Sequence, residues 1–275
     1  MNNIDAQTVA GFGDEWERFD QSSLPSAESA ELFEGYFAVF PWDGLPASAR
    51  GFDLGCGSGR WARHVASRVG HLHCIDPSAA IEVARRNLAE FDNVTFARAD
   101  ADAIPLADGS MDFGYSLGVL HHIPDTARAM RQCVEKLKLG APFLVYLYYR
   151  FDNRPGWFRA LWKASDLARR GVSRLPNGPR YVVSQAIAAG VYWPLSRAAW
   201  LGERLGLSVR SWPLTFYRDL SFYTMRTDAL DRFGTRLEHR FTREEIAAMM
   251  ERAGLGDIQF SPREPFWCAV GVRSR

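Results

Sequence analysis

Hydrophobic and polar positions follow two rhythms along this chain. Residues 51–54, 71–75, 93–97, 111–117 and 143–149 are short runs dominated by apolar, β-branched and aromatic side chains. Such runs are what strands covered on both faces look like. Between them, residues 60–66, 79–91 and 126–137 set apolar positions at helical spacing among Arg, Glu and Gln. Ser78 stands where the second of these helices needs an N-cap, and Gly140 where the third needs a C-terminal stop. The run 143–149, FLVYLYY, predicts a central strand. Regular alternation through residue 149 predicts an α/β fold with a parallel, doubly wound sheet.

The flanks differ from this middle. Phe12, Trp16 and Phe19 recur at helical spacing, a Ser/Pro break covers residues 22–26, and residues 27–40 carry Leu32, Phe33, Tyr36, Phe37 and Phe40 before Pro41 and Pro46. Residues 1–49 are assigned as an N-terminal helical lid, with plain packing on the sheet as the competing role. Near the other end, Thr242 and Glu245 form a capping box, Gly254 ends that helix, and residues 257–261 and 267–272 predict two closing strands.

Residues 150–241 interrupt the pattern with 92 residues where an αβ connection is normally about 2–6. They are expected to form a helical, basic, aromatic substrate cap. The net charge of the chain is only +1. That near-neutrality hides an asymmetry: residues 150–218 hold 12 Lys and Arg against 3 Asp and Glu, while the remainder holds 21 against 29. Five of the nine tryptophans fall in the same segment, at 157, 162, 193, 200 and 212. Residues 181–196 carry no charge and place Val183, Ile187, Val191 and Leu195 on one stripe, with Pro194 expected to break or kink it. One reading makes the cap a self-contained helical core with a solvated basic face. The other makes it a docking face for an anionic partner: a phosphorylated or carboxylated substrate, a lipid-carried sugar, or an anionic membrane surface. No recognised nucleic-acid module accompanies the charge, so nucleic acid is not expected.

With 47% hydrophobic and 24% charged residues, the composition is that of an ordinary globular protein. The N-terminus lacks a basic segment followed by an apolar one, and no apolar run reaches 18 residues, so the expected location is cytoplasmic. Cys56, Cys74, Cys133 and Cys268 show no C-x-x-C spacing and are expected to be reduced thiols, with no metal site.

The chemistry-bearing stretch is GFDLGCGSGRWARHVA at 51–66. Asp53 closes a strand, and Gly55, Gly57 and Gly59 make a turn that lets backbone approach a ligand. The helix expected from Arg60 aims its free N–H groups at that ligand. A dinucleotide fingerprint would need glycine at 60, where this chain has arginine. The spacing therefore suits a ligand with no pyrophosphate. Asp76 follows Gly55 by 21 residues, the place where a carboxylate ending the second strand accepts ribose hydroxyls.

With Asp53, Gly55, Gly57 and Gly59 in a D-x-G-x-G-x-G arrangement, the chain resembles the class I S-adenosylmethionine-dependent methyltransferases. The segment SLGVLHHIPD at 116–125 is similar to the one after strand four in the ubiquinone/menaquinone-biosynthesis (type 11) group. The resemblance covers about residues 50–149 and 242–273. It implies a Rossmann-like, seven-stranded, mostly parallel sheet with an antiparallel strand near the C-terminus, divided around the cap as 50–149 and 242–275. It implies S-adenosylmethionine as cofactor, held by Asp53, Gly55, Cys56, Gly57, Gly59, Asp76, Pro77 and Ser78. Asp100 and Ala101 would meet the adenine, with Asp102 the competing acid, and Ser116, Leu117 and Gly118 would run under the methionine part. A base for an oxygen acceptor would come from His121 or His122, with Tyr148 next; Trp16, Tyr217, Arg218, Arg226 and His239 are the candidate substrate contacts. The implied function is methyl transfer to a small-molecule acceptor, an oxygen of an anionic or sugar-like metabolite. The alternative is a lipid-linked or macromolecular acceptor approached through the basic cap.

Overall fold

The computed structural model describes residues 3–275. Two helices lead, α1 (Ala6–Arg18) and α2 (Ser26–Tyr36). Strands and helices then alternate as β1 (Arg50–Leu54), α3 (Ala62–Ala66), β2 (His71–Ile75), α4 (Ala80–Asn87), β3 (Val94–Ala97), β4 (Phe113–Leu117), α5 (Thr126–Lys136) and β5 (Pro142–Tyr146). Helices α6 (Gly156–Val172), α7 (Asn177–Ile187), α8 (Trp193–Arg204) and α9 (Phe222–Gly234) follow, then α10 (Arg243–Ala253), β6 (Leu255–Phe260) and β7 (Cys268–Arg273). The chain divides into two units, one of Met1–Gln21, Ser29–Arg150 and Leu237–Arg275, the other of Ser22–Glu28 and Phe151–Arg236.

The first unit holds one sheet of seven strands in the order β3-β2-β1-β4-β5-β7-β6. β1 to β5 run parallel, and β7 runs antiparallel to both β5 and β6. This is the α/β, Rossmann-like arrangement expected. Its centre is closed by two reciprocal pairs: Gly51 lies opposite Phe113 and Phe52 opposite Gly114. A Cβ on Gly51 would lie 2.2 Å from the Phe113 ring, and one on Gly114 would lie 2.4 Å from the Phe52 ring. Each ring thus lies over the bare backbone of its glycine partner, where no other residue leaves room. Helices α4 and α5 bury Ile81, Val83, Met130, Cys133 and Val134 and turn Arg85, Arg86, Arg131 and Glu135 outward. The residues after α2 add an aromatic layer, with Phe37 stacked on Trp42 at 5.4 Å and edge-on to Tyr115 at 5.2 Å.

Helix α10 begins with the capping box, both arms present between Thr242 and Glu245, and ends on Gly254 at φ 98°. Two local expectations fail. Gly140 caps no helix: α5 stops at Lys136 because Leu137 is extended, and Gly140 (φ 83°) belongs to the turn entering β5. The helix expected from Arg60 begins at Ala62 and lasts five residues, because the glycine turn continues through Trp61.

The second unit is helical. Its apolar centre is Ala188, Tyr192, Met225, Ala229 and Phe233. Beside it lies a buried ion cluster: Asp166 meets Arg169 at 2.7 Å and Arg170 at 3.0 Å, and Arg169 also donates to the Thr235 and Arg236 carbonyls. Burial pushes the Asp166 carboxyl up, but the Arg169 hydrogen bond and the charges of Arg169 and Arg232 outweigh it and hold the carboxyl below its usual range. Glu28 accepts hydrogen bonds from Ser221 and Thr224. Pro194 does not break the helix as expected. A single π-helical turn, Ala188–Tyr192, joins α7 to α8, and Pro194 sits in the first turn of α8. The wider turn accommodates a ring that an unbroken α-helix would exclude. The inward stripe is also one residue out of phase: Ser184, Ala188, Tyr192 and Ser196 are buried, while Val191 and Leu195 are exposed.

Candidate active site

The carboxyl ends of β1, β2 and β4 converge in the first unit, where ligands of open α/β sheets bind. After β1 the chain turns through Gly55, Gly57 and Gly59, with φ of 80°, 53° and 80°. The turn is pinned to the end of β2. Gly55 and Cys56 donate to the Ile75 carbonyl, and Gly57 N donates to Asp76 Oδ2 at 2.9 Å. Asp76 Oδ1 accepts from Ser78 N at 2.8 Å and Ser78 Oγ at 2.6 Å. Ser78 Oγ in turn accepts from Ala80 N, so it serves the start of α4 as well. Asp76 is therefore a hub that fixes the turn, and a buried acid ready to accept further donors.

Helix α1 lies across this turn. Gly57 faces the Trp16 indole so closely that a Cβ there would lie 2.9 Å from Nε1, and Gly13 faces Ser78 and Ala79. Trp16, expected to meet the substrate, is thus placed on the glycine turn itself. The N-terminal end of this segment is clasped by Asn3: its backbone N–H donates to Asp102 Oδ2, its amide donates to the Asp125 carbonyl, and its Oδ1 accepts from Asp125 N. Asp102 also holds Arg128 at 3.0 Å. Of the two competing acids, Asp102 is occupied by this clasp, while Asp100 accepts only locally, from Asp102 N. Nothing in the sequence marked Asn3, because its partners lie about a hundred residues away.

Asp53 is 1% exposed, and its Oδ2 has no hydrogen-bond partner. Burial raises its carboxyl well above the usual range; the nearby Tyr115 hydroxyl opposes this without a hydrogen bond of normal geometry, and the Asp76 charge adds to it. Ser116 is fully buried and its hydroxyl donates to the Leu54 carbonyl. Leu117 and Gly118 (φ 80°) end β4 at the cleft edge. Val119 packs directly on Gly55, leaving no space for a side chain there.

The two histidines differ sharply. His121 is 0% exposed, with both ring nitrogens lacking a partner and the ring stacked on Tyr148 at 3.9 Å. Burial, then the neighbouring His122, Arg240 and His239, pushes it well below its usual value, so it is neutral. The His122 ring lies 5.0 Å from Phe12 of α1, and its Nδ1 is 2.6 Å from the Leu237 carbonyl. A carbonyl only accepts, so Nδ1 carries a proton; in the neutral form of the ring the lone pair is then on Nε2. His239 reaches this cluster through its backbone, donating to the His121 carbonyl. The other candidate substrate contacts lie in the second unit and bond within it: Tyr217 to Asp228, Arg218 to Glu203, and Arg226 to Gln185 and Tyr181.

Residues 52–145 match the model of a methyltransferase domain. That match is to the type 11 group of class I methyltransferase domains, whose cofactor is S-adenosylmethionine. Among curated relatives, it is 34% identical over 100 residues to phosphoethanolamine N-methyltransferase 2 of Caenorhabditis elegans, covering 35% of this chain and 23% of the relative. It is 29% identical over 126 residues to 27-O-demethylrifamycin SV methyltransferase of Amycolatopsis mediterranei, covering 44% and 45%. The chain thus spans less than half the length of either relative. Among solved structures, a Thermotoga maritima S-adenosylmethionine-dependent methyltransferase, described as a possible histamine N-methyltransferase, shares the fold. It aligns with a TM-score of 0.52 at 15% identity, covering 96% of this chain and all of that one.

The residues present suit this cofactor. A buried carboxylate oxygen of Asp53 lacks a donor, as the ammonium of a methionine moiety would provide. Asp76, whose charge reaches Asp53, would be the acceptor for ribose hydroxyls. Among the described residues, no group of three His, Cys, Asp or Glu could hold a metal ion, and no helix is long and apolar enough to cross a membrane.

Proposed function

We propose that the protein transfers a methyl group from S-adenosylmethionine to an oxygen of a small anionic or sugar-like acceptor. The observation that carries this reading is the fixed ring of His122, which follows β4 and lies against Phe12 of α1. When bound, S-adenosylmethionine supplies a methyl on a sulfonium, a leaving group already activated. The protein's part is alignment and proton removal, which contribute through proximity and through general-base catalysis. His122 takes the acceptor's hydroxyl proton on Nε2, while the Leu237 carbonyl holds the opposite nitrogen. His121 and Tyr148 form the stacked wall that keeps this ring in place. Asp76 and Asp100 are assigned to the ribose and the adenine, and Trp16 to closing the turn.

The surplus of positive charge in residues 150–218 supports an anionic acceptor, through the field it produces rather than any one contact. The phosphoethanolamine methyltransferase among the relatives points the same way. A lipid-linked acceptor is the second reading, favoured by the exposed apolar surface of the second unit.

The test is a transfer assay with label in the cofactor's methyl group and pools of phosphorylated, carboxylated and glycosylated metabolites as acceptors. The reading expects label in an acidic or sugar fraction with the wild type and about 10²–10⁴-fold less with His122→Gln. Undiminished transfer by His122→Gln would overturn the assignment of the base, and label confined to a lipid extract would favour the second reading.

A further inference from the structure

The helices of the second unit are turned inside out. All but one of the large apolar side chains left exposed, the exception being Leu139, belong to this unit. On α6 the outward face is Trp157, Ala160, Leu161, Ala164, Leu167 and Ala168, one continuous apolar strip. Trp157 is 53% exposed and Leu167 71%. The residues this helix buries are charged, Asp166 and Arg169. From residue 181 to 202, across α7, the π-helical turn and α8, every exposed position is apolar; the large ones are Val182, Val191, Trp193, Leu195 and Leu201. The inward positions of the same stretch are small or polar: Ser184, Ala188, Ser196, Ala199 and Gly202, with Tyr192. Water is the wrong solvent for such a surface. At roughly 25 cal/mol per Å², each of these side chains loses stabilisation that burial would give.

The occupant is set by charge. Arg159, Lys163 and Arg170 flank the α6 strip and are exposed. Residues 150–218 carry 12 Lys and Arg against 3 Asp and Glu. A second copy of this chain would oppose like with like, whereas an anionic bilayer neutralises the rim while its acyl region takes the leucines and tryptophans. Apolar face, basic flank and Trp at the boundary are the features of a helix lying in the membrane interface. No helix among the described residues can cross a membrane, so the contact is peripheral.

We propose that the outer faces of α6 and of α7–α8 dock the protein on an anionic lipid surface. This holds whichever acceptor the active site takes. Vesicle flotation tests it directly, comparing phosphatidylcholine alone with phosphatidylcholine containing about one part in three phosphatidylglycerol. The expected result is flotation with the anionic vesicles, little with the neutral ones, and weakening as salt rises. Leu161→Glu combined with Leu167→Glu should lower vesicle affinity at least about tenfold. The far-UV spectrum and Tm should stay as in the wild type, because both side chains already face solvent. Arg159→Glu with Lys163→Glu should remove the preference for anionic lipid. Failure of the wild type to float, or equal flotation with both vesicles, overturns the proposal. So does a dimer by light scattering that the leucine variant dissociates, which would assign the face to a second copy.

Discussion

Helices α4 and α5 of the first unit and helices α6 to α8 of the second are all amphipathic, yet they face opposite ways. In α4 and α5 the apolar stripe is inside and Arg and Glu are outside. In α6 the apolar strip is outside and an ion cluster is inside, and in α7–α8 small and hydroxyl residues pack inward while Val, Trp and Leu face out. Periodicity reports that a stripe exists; it does not report which side meets the core. Only the identity of the inward residues decides it, and those are set by neighbours distant in sequence, such as the carbonyls of Thr235 and Arg236 that take Arg169.

The comparison predicts unequal responses to equal surgery. The largest effect belongs to the first unit: Phe113→Ala removes the ring that covers Gly51 at the sheet centre and should cost about 3–5 kcal/mol by denaturant unfolding. Leu167→Ala on α6, also the loss of a large apolar side chain, should change stability by less than about 0.5 kcal/mol, because that side chain is exposed. Comparable losses at both sites would break the claim that the second unit is inverted. Inside the second unit, Asp166→Asn leaves Arg169 buried without its carboxylate and should cost several kcal/mol, about 3–5 by analogy with other buried pairs. A near-neutral result would mean that the ion cluster is solvated.

Acid should separate the two units further. His121 is pushed well below its usual value, and burial, then His71 and Arg50, lowers His73 to about 4. Histidines with depressed folded values are less ready to bind protons than in the unfolded chain. The histidines' contribution to the stability of the first unit is therefore full above about pH 6.5 and falls as pH drops from there toward about 4, while the raised carboxyl of Asp53 contributes in the opposite direction. The carboxyl of Asp166 is held below its usual range, so its contribution to the second unit persists through that window and is lost only as pH falls through its lowered value. Thermal melts of the wild type and of His73→Gln across this range check the histidine part: the variant should lose less stability on acidification. A modest change is expected for Asn3→Ala, about 1–2 kcal/mol from the clasp on Asp102 and Asp125. Its readout is faster amide exchange in α1 with the sheet unaffected.

The parts legible in the sequence are those fixed by local chemistry. The three glycines turn as their spacing requires, Asp76 ends β2, and Thr242 with Glu245 caps α10. Strand β2 occupies the residues its apolar run marked. The parts that were not legible depend on partners far along the chain. The Gly51–Phe113 and Phe52–Gly114 pairs need the register of two strands some sixty residues apart. The distinction between His121 and His122 needs the Leu237 carbonyl, which no spacing rule locates. The stripe that spacing predicts on α7–α8 is one residue out of phase with the buried one, because the inward path is set by close packing of Ser184, Ala188 and Ser196 rather than by hydrophobicity.

The central claim is that the glycine turn and Asp76 form an S-adenosylmethionine cradle. Calorimetric titration of the protein with S-adenosylhomocysteine tests it most directly. One-to-one binding, weakened about tenfold or more by Asp76→Ala and also by Asp76→Asn while Tm stays within a few degrees, is the predicted result. No binding by the wild type, or the same affinity in both variants, would contradict it.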